Sequence, residues 1–126
     1  MDERRKERRR KLMAFTPVYD LHPRVLLGYL GDLTLRGALV IGDKLTTINK
    51  ETALEIDFPS DLPDVPVLPI TIPARIAWCS YDDGSQYFSI GVEFTEVTPE
   101  HAELFQRILE RYHFRHVLSD SDFNRE

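Results

Sequence analysis

Short segments in which apolar and polar residues alternate recur through most of this chain, and this pattern limits its fold more than any other feature. In residues 53–58 (ALEIDF), Leu54, Ile56 and Phe58 fall on one face and two acidic residues fall on the opposite face. Such alternation is typical of a β-strand that buries one of its two faces. The other segments predicted to form strands are residues 12–20, 24–30, 38–41, 70–80 and 87–95.

The last two of these segments are predicted to form a hairpin. Residues 82–84 (DDG) between them suit a tight turn, because glycine adopts a positive φ angle without a steric penalty. Gly91 interrupts the second strand and marks either a bulge or a close backbone approach. The first strand is expected to place four side chains on one face: Ile72, Ala74, Ile76 and Trp78. Trp78 is interpreted as a core or barrel-wall residue.

Only one segment, residues 98–114, has convincing helical spacing. Thr98 can cap this helix and Pro99 suits its first turn. Its apolar stripe is suited to cover the open mouth of a barrel and consists of Leu104, Phe105, Ile108, Leu109 and Tyr112. Four prolines make residues 59–69 an extended loop. At 126 residues, we therefore expect one domain, a closed or nearly closed antiparallel barrel with a terminal helix.

Charge is distributed very unevenly along the chain. The net charge is -5, yet the first eleven residues (MDERRKERRRK) are strongly basic and the remainder is acidic. A basic arm on an acidic body favours a local anionic partner over a general DNA- or RNA-binding surface. Cys79 is the only cysteine, which excludes an internal disulfide and a cysteine-based zinc cluster. No apolar stretch is long enough to span a membrane, and the charged N-terminus does not resemble a secretory signal.

The basic arm contains the first of two candidate motifs. Arg5 and Arg9 form an Arg-x-x-x-Arg pattern, and Arg4 and Arg8 form the same pattern one residue earlier. Guanidinium groups bind phosphate through paired, charge-assisted hydrogen bonds and also stack on base planes. The same arginines are compatible with a solvated tail or with a nonspecific phosphate-binding arm.

The second motif is Asp32-x-Thr34-x-x-Gly37, in the turn between two predicted strands. A carboxylate and a hydroxyl on a rigid turn can read the donor-rich edge of a guanine, and Gly37 allows a tight turn and close approach to a ligand. Ordinary turn chemistry uses the same residue types. The two motifs occur together, in this order and ahead of a strand-rich body, which favours ligand binding.

These motifs and the segments around them resemble the PilZ domain, a bacterial family of cyclic di-GMP receptors that carries RxxxR followed by a D/NxSxxG motif. The resemblance extends from about Glu3 to Tyr112 and includes ERRKERRRKL, GDLTLRGALVI, ALEIDFP, ARIAW and YFSIGVEF in the expected order. It implies a six-stranded antiparallel barrel with one C-terminal helix packed beside it. It also implies that the two arginines of the arm grip the ligand phosphates and stack on guanine. The DxTxxG turn then reads the base.

The resemblance also assigns individual residues. We prefer Arg5 and Arg9 as the ligand-binding pair, with Arg10 as an auxiliary contact, although Arg4 and Arg8 also fit. An arginine just before the pair often accompanies binding of a stacked ligand dimer in this family, and Arg4 occupies that position. In the turn, Asp32, Thr34 and Gly37 are the expected ligand-binding residues. Thr34 replaces the usual serine and keeps its hydroxyl, but the extra methyl group is expected to weaken the fit.

The function implied is that of a cytoplasmic cyclic di-GMP receptor that signals by binding and is not an enzyme. No metal or other cofactor is expected. Without ligand, like charges keep the arm mobile; ligand phosphates then draw it over the barrel, and a downstream protein reads the changed surface. The expected division is a flexible basic arm (residues 1–12), the barrel with its helix (13–116) and a flexible tail (117–126). We expect a monomer or a weak homodimer.

Two other interpretations stay open at this point. A PilZ-like protein-interaction module would keep the barrel but ignore the nucleotide, and loss of either arginine would have favoured it. An RNA-binding small barrel with a basic arm would present a basic barrel face, whereas the body of this chain is acidic.

Overall fold

The structure, a computed structural model, describes residues 11–12, 16–58 and 69–113. Eight strands and one helix lie within these ranges. In chain order they are β1 (Lys11–Leu12), β2 (Pro17–Leu21), β3 (Arg24–Leu33), β4 (Gly37–Gly42), β5 (Glu51–Asp57), β6 (Pro69–Asp82), β7 (Tyr87–Phe94), α1 (Pro99–Arg111) and β8 (Tyr112–His113).

Six of the strands close into a barrel. Their order around it is β2-β3-β4-β7-β6-β5, and every neighbouring pair is antiparallel. The predicted six-stranded antiparallel barrel with one C-terminal helix is thus confirmed. The remaining two strands, β1 and β8, pair in parallel, so the backbone of Lys11–Leu12 is joined to the segment that follows the helix. The sequence predicted one continuous strand over residues 12–20, whereas the structure begins β2 at Pro17.

The antiparallel order gives the barrel two distinct ends. The helix end carries the β3–β4 hairpin (residues 34–36) and α1. The distal end carries the β2–β3 hairpin (residues 22–23), the connection 43–50 between β4 and β5, and the β6–β7 turn (residues 83–86). Because successive hairpins of an antiparallel barrel alternate between its ends, features of the β3–β4 hairpin and of the β6–β7 turn lie far apart.

Helix α1 closes the helix end of the barrel. Its Phe105 and Ile108 are fully buried, and the Phe105 ring centroid lies 5.5 Å from that of Phe94 and 6.5 Å from that of Phe58. The Thr98 hydroxyl accepts a hydrogen bond from the His101 N–H at 3.1 Å, which confirms Thr98 as the N-cap. Leu104 and Leu109 pack against the same core, so these four residues of the predicted stripe cover the barrel mouth. The helix ends at Arg111, however, and Tyr112, which was predicted to belong to the stripe, is in β8.

A bulge in β6 overturns one prediction about the barrel wall. The β6–β7 register shifts between Ile76 and Trp78, which leaves Ala77 as the extra residue. Ile76 packs in the barrel interior, but the bulge turns Trp78 to the outer face, where it packs with Leu39 and Ile41. The expectation that Trp78 shares a face with Ile76 was wrong, because one inserted residue inverts the alternation of all those that follow.

The β6–β7 turn also differs in detail from the sequence prediction. The positive φ in this turn is at Gln86 (φ 65), not at Gly84. The Asp82 carboxylate accepts a hydrogen bond from the Ser85 N–H at 3.0 Å, and the Asp82 carbonyl accepts one from the Gln86 N–H at 2.7 Å. The turn is therefore held by the side chain and carbonyl of Asp82, and glycine is not needed for its left-handed residue.

A buried polar cluster occupies the barrel interior at the distal end. The Asp20 side chain points inward beside Val18, and Lys50 Nζ donates to its Oδ2 at 2.7 Å. Its Oδ1 accepts hydrogen bonds from the Thr52 hydroxyl at 2.5 Å and from the His22 N–H at 3.0 Å. Burial alone raises the pKa of Asp20. The hydrogen bonds from Lys50, Thr52 and His22 outweigh this, so the pKa lies below the ordinary aspartate value.

Asp20→Asn is expected to lower the free energy of unfolding by about 1–3 kcal/mol at neutral pH, because it removes charge-assisted hydrogen bonds in a buried site. A lowered folded-state pKa contributes stability above the ordinary aspartate pKa, and this stability is lost as pH falls through the folded-state value. In urea denaturation, the difference between wild type and variant should therefore stay constant from about pH 7 to about pH 5, and it should shrink as pH falls from about 5, past the ordinary aspartate pKa, towards the lower folded-state value. A difference that does not shrink below about pH 5 would show that the charge of Asp20 does not stabilise the barrel.

Candidate functional site

The β3–β4 hairpin brings the three residues of the DxTxxG motif together. Asp32 is the penultimate residue of β3, Thr34 begins the turn and Gly37 is the first residue of β4. The Thr34 N–H donates to the Gly37 carbonyl at 2.9 Å. The Thr34 hydroxyl accepts hydrogen bonds from the N–H groups of Arg36 at 3.1 Å and Gly37 at 3.2 Å. The hydroxyl of Thr34 therefore holds the turn in shape, which is the structural role of serine or threonine in such turns.

The DxTxxG motif predicts that Gly37 allows a tight turn, but the structure gives Gly37 a different role. The positive φ angles of the described residues are at Gly28, Asn49 and Gln86, so Gly37 does not adopt one. It is buried and pairs with Glu93 of β7. Gly37 thus starts a strand and does not supply a left-handed turn position.

Asp32 lies on the outer face of the barrel. It pairs with Leu39 of β4, and the register shifts between Leu30 and Asp32, so Gly31 is a bulge residue. The neighbouring Leu33 packs into the interior, and successive strand residues point to opposite faces, which turns Asp32 outward. Its side chain is nonetheless buried, and its Oδ1 accepts a hydrogen bond from the Leu33 N–H at 2.8 Å. The bulge and this hydrogen bond fix the direction of the carboxylate.

Asp32 belongs to a row of outward positions that crosses four strands. Asp32 pairs with Leu39, Leu39 with Gly91, and Gly91 with Trp78. Leu39 is only 1% exposed, and Trp78 and Ile41 pack against it. This apolar floor beside Asp32 was not predicted from the sequence, because the bulge that turns Trp78 outward has no clear sequence signal.

Gly91 is the position that allows Trp78 to lie against the barrel. A Cβ atom on Gly91 would lie 2.2 Å from Cε2 of the Trp78 indole and 2.3 Å from its Nε1. The indole therefore lies directly over the glycine. The sequence left two interpretations of Gly91 open, a bulge or a close backbone approach. The structure shows the close approach at Gly91, and the bulge is at Ala77 on the neighbouring strand β6.

Gly91→Ala is expected to displace the Trp78 ring and to lower the free energy of unfolding by about 1–3 kcal/mol, because the ring must move off the strand. Urea denaturation measures the stability, and Trp78 is the only tryptophan, so its emission reports the displacement. Gly84→Ala is the matched control, since its Cβ would meet no described atom closer than 3.8 Å. Equal effects of the two substitutions would contradict the proposed packing.

The arginines of the first motif are outside the described residues. Arg4, Arg5, Arg8, Arg9 and Arg10 therefore stay predictions, as do their register and their approach to the hairpin. The described part of the chain begins at Lys11–Leu12, whose backbone pairs with β8. The arm thus has a defined attachment to the folded body one residue after Arg10.

The described residues contain neither a candidate metal-binding cluster nor a candidate membrane-spanning helix. Within residues 16–58 and 69–113, no cluster of three or more His, Cys, Asp or Glu side chains is arranged to hold a metal ion. In the same ranges, no helix is long and apolar enough to cross a membrane.

Comparison with known proteins identifies the family. The family model described as the PilZ domain matches residues 3–111. The structure is similar to that of the Bacillus subtilis inhibitor of motility (MotI/DgrA), with a TM-score of 0.62 and 19% sequence identity. The similarity covers 82% of this chain and 50% of that one, so this chain spans about half of that protein, and the likeness supports the fold alone. No curated protein matches. Because the family model covers most of its length, the chain belongs to the PilZ domain family.

Proposed function

We propose that this chain is a receptor for cyclic di-GMP that binds the dinucleotide between its basic arm and the β3–β4 hairpin. The observation that carries the proposal is the position of Asp32, an outward carboxylate fixed by a bulge and a hydrogen bond on the hairpin of a PilZ domain. The same chain carries the RxxxR pattern that ligand-binding members of the family possess. A PilZ domain acts as a receptor and not as a catalyst, so the output is a change in binding surface.

The two motifs are suited to bind different parts of the ligand. Asp32 is suited to accept hydrogen bonds from the N–H groups on the edge of a guanine, and Thr34 keeps the hairpin rigid so that the carboxylate is preorganised. Arg5 and Arg9 supply the charge that the ligand phosphates require. Neutralising the arm removes its self-repulsion and allows it to settle on the outer face near Asp32.

The hairpin part of the proposal is tested by titrating cyclic di-GMP into Asp32→Asn while the emission of Trp78 is followed. Asn keeps the size of the side chain but not its charge, so affinity is expected to fall about 10–100-fold, the effect of losing hydrogen bonds to a charged group. Asp83→Asn is the matched control, because Asp83 is an exposed carboxylate at the distal end. Unchanged affinity in a folded Asp32→Asn variant would remove the hairpin from the binding site.

A second substitution tests the effect of threonine in the motif. Thr34→Ser keeps the hydroxyl that accepts from the Arg36 and Gly37 N–H groups but removes the methyl group. Binding is therefore expected to be retained or strengthened by a few-fold.

A further inference from the structure

Exposed apolar side chains are concentrated at the distal end of the barrel. Among the described residues, six of the nine large hydrophobic side chains that are exposed lie there, with exposed fractions from 46% at Leu26 to 74% at Leu45. We call them the distal patch, and they are Val25, Leu26, Leu45, Ile48, Tyr81 and Tyr87. Leu45 and Ile48 lie in the connection 43–50. Val25 and Leu26 lie just after the β2–β3 hairpin, and Tyr81 and Tyr87 lie on either side of the β6–β7 turn.

Strand pairing shows that these segments are neighbours. Gly42, where the connection 43–50 begins, pairs with Phe88, and Phe88 pairs with Tyr81. The rings of Tyr81 and Phe88 lie with their centroids 5.0 Å apart. On the other side of Gly42, its Cα lies 2.9 Å from where a Cβ of Gly28 would be, and Val25 and Leu26 precede Gly28 at the start of β3. The patch therefore spans adjacent strands of one rim, with Val25 and Tyr81 on the side that faces the barrel opening and Leu26 and Tyr87 on the outer side.

The distal patch is not needed to complete the core. The interior at this end contains the Asp20, Lys50 and Thr52 cluster, and the patch side chains point to solvent. Single exposed apolar side chains are common on soluble proteins, but a concentration of aliphatic and aromatic side chains on one surface marks a site of interaction.

The charges around the patch restrict what can cover it. Asp43, Asp82 and Asp83 are exposed beside it, against one exposed lysine, Lys44. The nearby guanidinium of Arg24 is held by the Glu55 carboxylate at 3.1 Å and lies over the Tyr19 ring. An acidic rim repels an anionic membrane, and it repels the same rim of a second copy. It attracts a protein surface that carries cations.

We propose that the distal patch is the docking surface for a protein partner that presents apolar side chains flanked by lysine or arginine. This surface lies at the opposite end of the barrel from the hairpin of the proposed ligand site, so its existence does not depend on cyclic di-GMP binding. Burial of the tyrosines and leucines supplies affinity, and the acidic rim selects a basic partner and sets the salt dependence.

The surface is tested with a synthetic amphipathic helix of about 15 residues made of leucine and lysine, titrated into the full ¹⁵N-labelled chain. Amide shifts are expected to concentrate at residues 25–26, 43–48 and 81–87. Leu45→Ser with Tyr87→Ser should weaken binding at least about tenfold, the loss expected for two anchoring side chains. Asp43→Asn with Asp83→Asn, which leaves the turn-forming Asp82 in place, should weaken it a few-fold and reduce the salt dependence.

The controls separate this surface from nonspecific adhesion. Val97→Ser removes an exposed apolar side chain before α1 and should leave affinity unchanged. Replacing every lysine of the peptide by glutamate should abolish binding. Shifts centred on α1 or spread over the chain, or equal affinities of the patch variants and wild type, would overturn the proposal. So would sedimentation showing a wild-type dimer that Leu45→Ser dissociates, because the occupant would then be a second copy.

Discussion

Replacing Arg5 and Arg9 together by alanine is expected to weaken cyclic di-GMP binding by more than about 100-fold. Each arginine is proposed to make charge-assisted hydrogen bonds to phosphate, and loss of such an interaction costs about 1.5–3 kcal/mol. Two losses correspond to at least about 3 kcal/mol, or a factor of more than about 100 in the dissociation constant. Isothermal titration of the purified variant measures the effect.

A matched variant separates the motif from its charge. Lys6→Ala with Lys11→Ala removes two positive charges from the same arm but leaves both RxxxR patterns intact. This variant should lose only the long-range attraction, a few-fold effect that added salt suppresses. Equal losses in the two double variants would show that the arm acts as a nonspecific cation cluster.

The register within the arm is decided by Arg4→Ala with Arg8→Ala. If Arg5 and Arg9 are the binding pair, this variant should keep substantial affinity, and a wild-type stoichiometry near two ligands should fall towards one, because Arg4 is assigned to the second ligand. If it instead loses binding while the Arg5 and Arg9 variant retains it, the pair is one residue earlier.

Phe105→Ala is expected to lower the free energy of unfolding by about 3–5 kcal/mol, the usual cost of removing a buried phenylalanine. Phe105 is fully buried and contacts the ring of Phe58, which directly follows β5, and the ring of Phe94, which ends β7, at the mouth that α1 covers. Alanine has the higher helix propensity, so the loss comes from packing and not from the helix itself.

Urea denaturation measures this effect, with Gln106→Ala as the control. Gln106 is the next residue of α1 and is exposed, so its substitution should change stability by less than about 0.5 kcal/mol. A cost below about 1 kcal/mol for Phe105→Ala would contradict the conclusion that α1 is an integral part of the barrel core.

Local patterns predicted the strands and the helix well where the alternation is unbroken. Strand β5 buries Leu54 and Ile56 as expected, and Thr98 caps α1. Predictions failed where a single residue shifts the inward–outward alternation of a strand or determines how a turn is formed. The bulge at Ala77 moved Trp78 to the outer face, and Asp82 with Gln86 made the turn that was assigned to Gly84.

The part of the candidate site that depends on local sequence was predictable, and the part that depends on contacts between distant strands was not. The order of the two motifs placed Asp32, Thr34 and Gly37 on one hairpin, because their spacing is local. The row from Asp32 to Trp78 was not predictable, since it depends on the pairing of four strands that are distant in sequence. The buried Asp20 was missed because its partners Lys50 and Thr52 lie about thirty residues away along the chain.

The most direct test of the receptor proposal is isothermal titration of cyclic di-GMP into the wild-type chain, after its fold and the absence of bound nucleotide have been verified. Saturable binding with a stoichiometry of one or two ligands per chain is the expected result. If the folded, ligand-free protein gives no binding heat at high ligand concentration and no change in Trp78 emission, the receptor proposal is wrong. The chain would then be a PilZ-like interaction module.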